Sequence, residues 1–333
     1  MSNTAASYLK PAQTNSPGIH GHIEMCRFDH WIKNVFVLPG IIAALALNRM
    51  PVHLSLLGYA LLGLLATGLV ASSNYVLNEV LDAPFDLTHP IKKNRPVPSG
   101  RVHIHLAYIQ WICLGVAGVV LAHCISSALM WTLIVLWIMG CVYNVPPLRS
   151  KDVPYVDVLT EALNNPLRLL AGWFMVSQST IPPASLLLSY WMVGCYFMAL
   201  KRYSELLRLT AVEKAFAYRK SLAYFKPEGL LAAVMFYASA SMLFFGSFLM
   251  RYRMELVLSF PLVAWVMATY LAIAFRHDGA AENPEKLYRE KSLMLAVSCC
   301  TVVMALLLFF DIPALHVIFT PTAPVESIYD TLR

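Results

Sequence analysis

Charge is what this sequence has least of. Of its 333 residues only 13% are Asp, Glu, Lys or Arg and 58% are hydrophobic, whereas soluble domains carry roughly a quarter of charged residues. That shortage excludes a water-soluble fold. The formal net charge of +6 rests on 25 Lys and Arg that gather into no basic domain, which excludes a nucleic-acid binder. Cysteine is sparse in a second sense: the seven are odd in number, scattered through apolar runs as at Cys113, Cys141, Cys195 and Cys299, and form no Cys-x-x-Cys. Neither a disulfide framework nor a zinc site follows. A Walker-type Gly-rich loop, a Ser-centred nucleophile elbow and any long run of like charge are missing as well. No apolar stretch precedes Cys26, so the first residues do not read as a cleavable signal.

Hydrophobic length is what the chain has in abundance. With about 20 residues per hydrocarbon crossing, nine apolar spans are expected, over 34–49, 53–78, 103–124, 126–145, 156–177, 183–200, 229–250, 254–275 and 292–311. The expected fold is therefore an all-α polytopic membrane protein, a bundle of nine transmembrane helices. An N-terminal segment (1–26) precedes the membrane domain (27–311), and a tail (312–333) follows it. Twenty of the 25 Lys and Arg fall in loops on one side; four (Arg49, Arg251, Arg253, Arg333) fall on the other, and Arg168 lies inside a span. The positive-inside rule then puts the N-terminus in the cytoplasm and, with an odd number of spans, the C-terminus outside. Much of the acid, including Asp82, Asp86, Asp152, Glu205 and Glu285, shares the basic side. A multi-pass protein of the inner (plasma) membrane with a cytoplasmic active site is expected.

The densest cluster follows the second span: Asn78-x-x-x-Asp82-x-x-x-Asp86, then His89-Pro90-Ile91-Lys92-Lys93-Asn94-Arg95-Pro96. A spacing of four stacks Asn78, Asp82 and Asp86 along one helical face, about 6 Å of rise per step. Oxygen donors arranged so suit Mg²⁺, which takes one or two carboxylates, keeps several waters and accepts phosphate oxygens. Pro84 is expected to loosen the helix there. Lys92 and Arg95 follow within a turn or two, the one a point charge and the other a fork for phosphate oxygens. Acid-held metal beside fixed cations is an arrangement that stabilises departing pyrophosphate.

The Asn-x-x-x-Asp-x-x-x-Asp and His-Pro-x-Lys-x-x-Arg-Pro pair resembles the first aspartate-rich motif of the UbiA-type integral-membrane prenyltransferase superfamily, whose members are nine-helix bundles. Glu79 departs from it, standing where the family usually has Asp. The family's isoprenoid transferases carry a second Asp-x-x-x-Asp between the sixth and seventh helices. Here that place reads Lys201-Arg202-Tyr203-Ser204-Glu205, two cations and one carboxylate. This segment is similar to the decaprenyl-phosphate phosphoribosyltransferase branch. So are Trp31-Ile32-Lys33-Asn34, Asp157 with Leu167-Arg168-Leu169-Leu170-Ala171-Gly172, and Asn283-Pro284-Glu285-Lys286.

The resemblance implies a Mg²⁺-dependent enzyme that moves 5-phosphoribose from phosphoribosyl diphosphate to a polyprenyl phosphate lipid and releases pyrophosphate. It makes Asp82 and Asp86 catalytic and, with Asn78, metal-holding. Lys33, Asn34, Lys92, Arg95, Lys151, Asp157, Arg168, Lys201, Arg202, Tyr203 and Glu205 become candidate substrate-binding residues, and a homotrimer becomes an admissible assembly. Arg168, about eleven residues into a span, needs a polar cavity or a partner such as Asp157 or Glu161. Two alternatives stand beside this: prenyl transfer from a prenyl diphosphate to an aromatic or other small acceptor, and an inactive transporter or assembly subunit.

Overall fold

The computed structural model describes residues 17–51, 53–87, 91–208, 220–276, 281 and 284–319, apart from the side chains of 284–286 and 317. Among them no strand occurs. The α-helices are α1 (Ile19–Met25), α2 (Leu38–Leu47), α3 (Leu54–Asp86), α4 (Ile104–His123), α5 (Ser127–Asn144), α6 (Val156–Ala162), α7 (Asn164–Val176) and α8 (Ala184–Arg208). They continue with α9 (Pro227–Tyr252), α10 (Phe260–Ala274), α11 (Lys291–Phe309) and α12 (Pro313–Ile318). Eight helical stretches among the described residues are long and apolar enough to cross a membrane. The expected span 156–177 is not one of them. It is split at Leu163 into α6 and α7, beside Asn164-Asn165-Pro166, where two amides compete for backbone groups and Pro166 supplies no donor. The first apolar stretch begins earlier than expected, at Ile19, and runs through a 3-10 segment (Phe28–Val37) into α2. Pro84 does not break α3, which continues to Asp86. The missing donor lies in the last turn, where little helix remains to be disrupted.

The described residues divide into two compact units, one within 1–34, 61–160 and 209–224 and the other within 35–60, 161–208 and 225–333. In the first, three consecutive polar residues of the otherwise apolar α3 reach three neighbours. Ser72 donates to the Cys26 carbonyl (2.7 Å), Ser73 to the Trp111 carbonyl of α4 (2.6 Å), and Asn74 to the Leu136 carbonyl of α5 (3.0 Å). Successive residues point about 100° apart around a helix, and in an apolar medium each such group must find a partner inside the protein. Ser72 also accepts from Trp31 Nε1 at 2.9 Å. Arg101 forks onto Glu24 at 2.6 and 3.2 Å and so ties the loop before α4 to α1. That hydrogen bond pushes the Arg101 pKa above its ordinary value.

The second unit is built on close helix approach. A Cβ on Gly40 of α2 would strike the Leu169 carbonyl of α7, and one on Gly172 of α7 would strike the Val37 carbonyl. Two helices crossing at reciprocal glycines bring their backbones together, which is how packing is gained where lipid supplies no hydrophobic drive. Helix α8 lies along α9, with Ser189 Oγ on the Ser241 carbonyl (3.0 Å), and its Tyr196 hydroxyl donates to the Met267 carbonyl of α10 (2.8 Å). Phe245, Phe248, Leu249, Leu256 and Leu307 close the core at one end.

Candidate active site

In the first unit α3 brings Asn78, Asp82 and Asp86 onto one face, and the Asn78 amide donates to Asp82 Oδ2 at 3.1 Å. The loop after α5 returns two cations to the same carboxylate. Arg149 Nη2 lies 2.9 Å from Asp82 Oδ1, and the Lys151 ammonium bonds to that oxygen too. Lys151 is only 3% exposed; it also donates to Asn144 Oδ1 (2.7 Å) and lies 5.9 Å from the Tyr143 ring centre. Arg149 is held by Asp152 (3.0 Å), the Asn144 carbonyl (3.2 Å) and the face of Phe85 (4.9 Å). Its φ of 25° is a backbone conformation that side chains rarely adopt, kept here by these contacts. Asn144 is the hub, since its Oδ1 accepts from both Asn78 (2.6 Å) and Lys151 while its own amide donates to the Gly140 carbonyl (2.9 Å). Asp86, buried, accepts from Arg95 Nη1 at 2.6 Å. Lys92 stands half-buried on the 3-10 turn Lys92–Asn94 just before.

Glu79 faces elsewhere. It is 1% exposed and accepts from Arg27 Nη2 (3.0 Å) and from the Val97 backbone N–H (3.2 Å), so its longer side chain pins the loop that carries Arg95. Arg27 and Lys33 both lie against the Tyr75 ring, at 5.8 and 6.0 Å, and Asn34 is buried. Asp157 is fully buried and accepts from Ser221 at 3.5 Å.

In the second unit the Lys201–Glu205 segment forms the last turns of α8. Arg202 has no exposed surface; its guanidinium lies 2.9 Å from Glu205 and 3.0 Å from Glu161. Glu161 therefore belongs to Arg202, which corrects the expectation that it neutralises Arg168. Lys201 is half-buried beside it, and the buried Tyr203 sets its ring edge-on to Phe275 at 5.3 Å. Arg168 is 8% exposed on α7. Its Nε has no acceptor, and Tyr190 of α8 lies within electrostatic reach. His89, Tyr218, Arg219 and Asn283, together with the side chains of Glu285 and Lys286, fall outside the described residues.

The sequence model of the UbiA prenyltransferase family matches residues 36–294. The chain belongs to that family. Decaprenyl-phosphate phosphoribosyltransferase of Mycobacterium tuberculosis (strain ATCC 25618 / H37Rv) is 31% identical over 205 residues, 61% of this chain and 65% of the relative. Protoheme IX farnesyltransferase of Thioalkalivibrio sulfidiphilus is 32% identical over a shorter 129 residues, 38% of this chain and 42% of that one. The chain thus aligns with less than two thirds of the first relative's length. Among solved structures, a UbiA homologue from Archaeoglobus fulgidus bound to DMAPP and Mg²⁺ superposes with a TM-score of 0.66 at 19% identity, covering 86% of this chain and 99% of that one. The fold is shared.

For Mg²⁺ the donors fit in kind. Asn78, Asp82 and Asp86 offer oxygen only, and the Asn78 amide nitrogen is already committed, which leaves its carbonyl oxygen as the atom toward a metal. Among the described residues no three His, Cys, Asp or Glu come together as a closed cage. Two carboxylates and an amide oxygen suit a metal that arrives with phosphate oxygens and its own waters. Sequence reasoning missed Asn144 and left Arg149 out of the candidate site. An amide and an arginine flanking a Pro-Pro loop look like ordinary helix-end residues, and nothing in their spacing to Asp82, more than 60 positions away, ties them to it.

Proposed function

We propose that this protein transfers the 5-phosphoribosyl group of phosphoribosyl diphosphate to a polyprenyl phosphate, with release of pyrophosphate, at the cytoplasmic face of the inner membrane. The observation that carries this is the balance of charge around one acidic motif. Asp82 and Asp86 stand with Arg95, Arg149 and Lys151, and in sequence the place of a second acidic pair is taken by Lys201 and by Arg202, the latter already paired with Glu161 and Glu205. A prenyl transfer to a neutral acceptor brings one diphosphate. The proposed transfer brings a diphosphate, a 5-phosphate and a phosphate nucleophile, and calls for that extra positive charge. The similarity to the Mycobacterium tuberculosis phosphoribosyltransferase supports the same choice.

Asn78, Asp82 and Asp86 would hold Mg²⁺, which when bound neutralises charge on the leaving pyrophosphate. Arg95, Arg149 and Lys151, preset against the carboxylates, would bind the same phosphates, and Lys92 and Lys33 would add positive field. In the second unit Lys201 supplies charge while Arg202 orders Glu205 and Glu161. A lipid phosphate oxygen attacks C1 of the ribose, the bond from C1 to the pyrophosphate oxygen breaks, and the configuration at C1 inverts. The nucleophile is already anionic, so the protein contributes position and electrostatics rather than a base.

Membranes containing the protein, incubated separately with labelled phosphoribosyl diphosphate and labelled prenyl diphosphate, test the proposal. Lipid-soluble label is expected from the first. Label only from the second would replace the proposal with prenyl transfer, the activity for which the farnesyltransferase relative is named.

A further inference from the structure

Arg168 stands apart from Arg202 and Arg253 in the second unit. The buried Arg202 rests on two carboxylates, and the partly exposed Arg253 on Asp311 at 2.5 Å. Arg168, 8% exposed in the second turn of α7, has no ion pair among the described residues, and its Nε has no acceptor. A guanidinium stays protonated at any accessible pH, and a charge held in a low-dielectric interior needs a counter-charge. Tyr190, the polar neighbour on α8, is taken up by the Phe36 carbonyl, to which its hydroxyl donates at 3.3 Å. Next to that carbonyl the chain turns apolar side chains outward: Val35, Phe36 and Leu38 are all exposed. Helix α7 crosses the backbone of Val37 and Gly40 at Gly172 and Leu169, so an unpaired cation and exposed apolar side chains belong to one helix crossing, which fits an anion that carries its own alkyl chain.

We propose that Arg168 anchors the phosphate of the lipid acceptor, a prenyl phosphate monoester, with the fork of its guanidinium. The isoprenoid chain runs along the apolar face at Val35, Phe36 and Leu38. This rests on the phosphoribosyl-transfer proposal for the identity of the acceptor, and it adds which residue recognises the headgroup. An Arg is suited to the task because its planar donors grip two phosphate oxygens at once, which a Lys cannot do.

Binding of labelled farnesyl phosphate to the full-length protein in detergent tests this, with phosphoribosyl diphosphate titrated separately. Arg168→Gln is expected to weaken farnesyl phosphate at least tenfold, the scale of a lost charge-assisted hydrogen bond. Arg168→Lys should fall between, and affinity for phosphoribosyl diphosphate should stay within about twofold. Equal affinity of wild type and Arg168→Gln for farnesyl phosphate overturns the assignment. So does competition by phosphatidic acid as strong as by farnesyl phosphate itself, since the anion would then be bulk lipid. A third readout needs no variant and survives misfolding of one: farnesol binding the wild type as tightly as farnesyl phosphate also overturns it. If phosphoribosyl diphosphate fails to bind while farnesyl phosphate still depends on Arg168, the donor proposal falls and the anchor stands.

Discussion

The Asp82–Lys151 pair can be tested by a double-mutant cycle of Asp82→Asn, Lys151→Met and the two together. Asp82 is about one-fifth exposed and Lys151 4% exposed by side chain. Breaking a fully buried pair costs about 3–5 kcal/mol because a charge is left behind, and exposed pairs are worth less than about 1 kcal/mol. Asp82→Asn keeps the volume but strands Lys151 against neutral oxygens, for which about 2 kcal/mol of destabilisation is expected. Lys151→Met leaves Arg149 on Asp82 at 2.9 Å, so about 1 kcal/mol is expected. The double variant removes both charges and should recover about half of the summed loss, giving a coupling of roughly 1.5 kcal/mol. Unfolding in detergent, followed by denaturant titration, measures all four corners. Single effects that add to the double within about 0.5 kcal/mol would refute the ion pair as described. Transfer activity should be absent wherever Asp82 is replaced, independently of the stability cycle.

Glu79→Gln should lower stability by about 3 kcal/mol through Arg27 while leaving KM for the donor within about twofold; a large rise in KM would make Glu79 a metal ligand. Gly172→Ala drives a Cβ into the Val37 carbonyl and should cost about 2 kcal/mol, seen as loss of the monodisperse peak on size-exclusion chromatography. Gly246→Ala, with open space around it, should be neutral or slightly stabilising; equal damage at both sites would refute the close-approach account.

The membrane class and the helical face of Asn78, Asp82 and Asp86 were legible because both are periodic, local properties. So was the unusual charge of the Lys201–Glu205 segment. What stayed hidden was pairing at a distance. Arg149 and Lys151 reach Asp82 across 67 and 69 positions, and Glu161 reaches Arg202 across 41, where proximity in sequence had suggested Arg168. The break between α6 and α7 was written in Asn164-Asn165-Pro166, but hydrophobic averaging over a 20-residue window erases a one-residue interruption. Pro84 misled in the opposite direction, since its effect depends on how much helix follows.

The three hydrogen bonds of Ser72, Ser73 and Asn74 set the helical phase of α3. They lie one turn before Asn78, and each is pinned to a different neighbour. Rotating α3 by a single residue, about 100°, would break all three together and swing Asn78 and Asp82 away from Asn144, Arg149 and Lys151. The alignment of the acidic face is thus fixed by buried and half-buried groups that stand outside the charged cluster itself. Substitutions at Ser72 or Ser73 should mimic active-site lesions while leaving every charged residue in place.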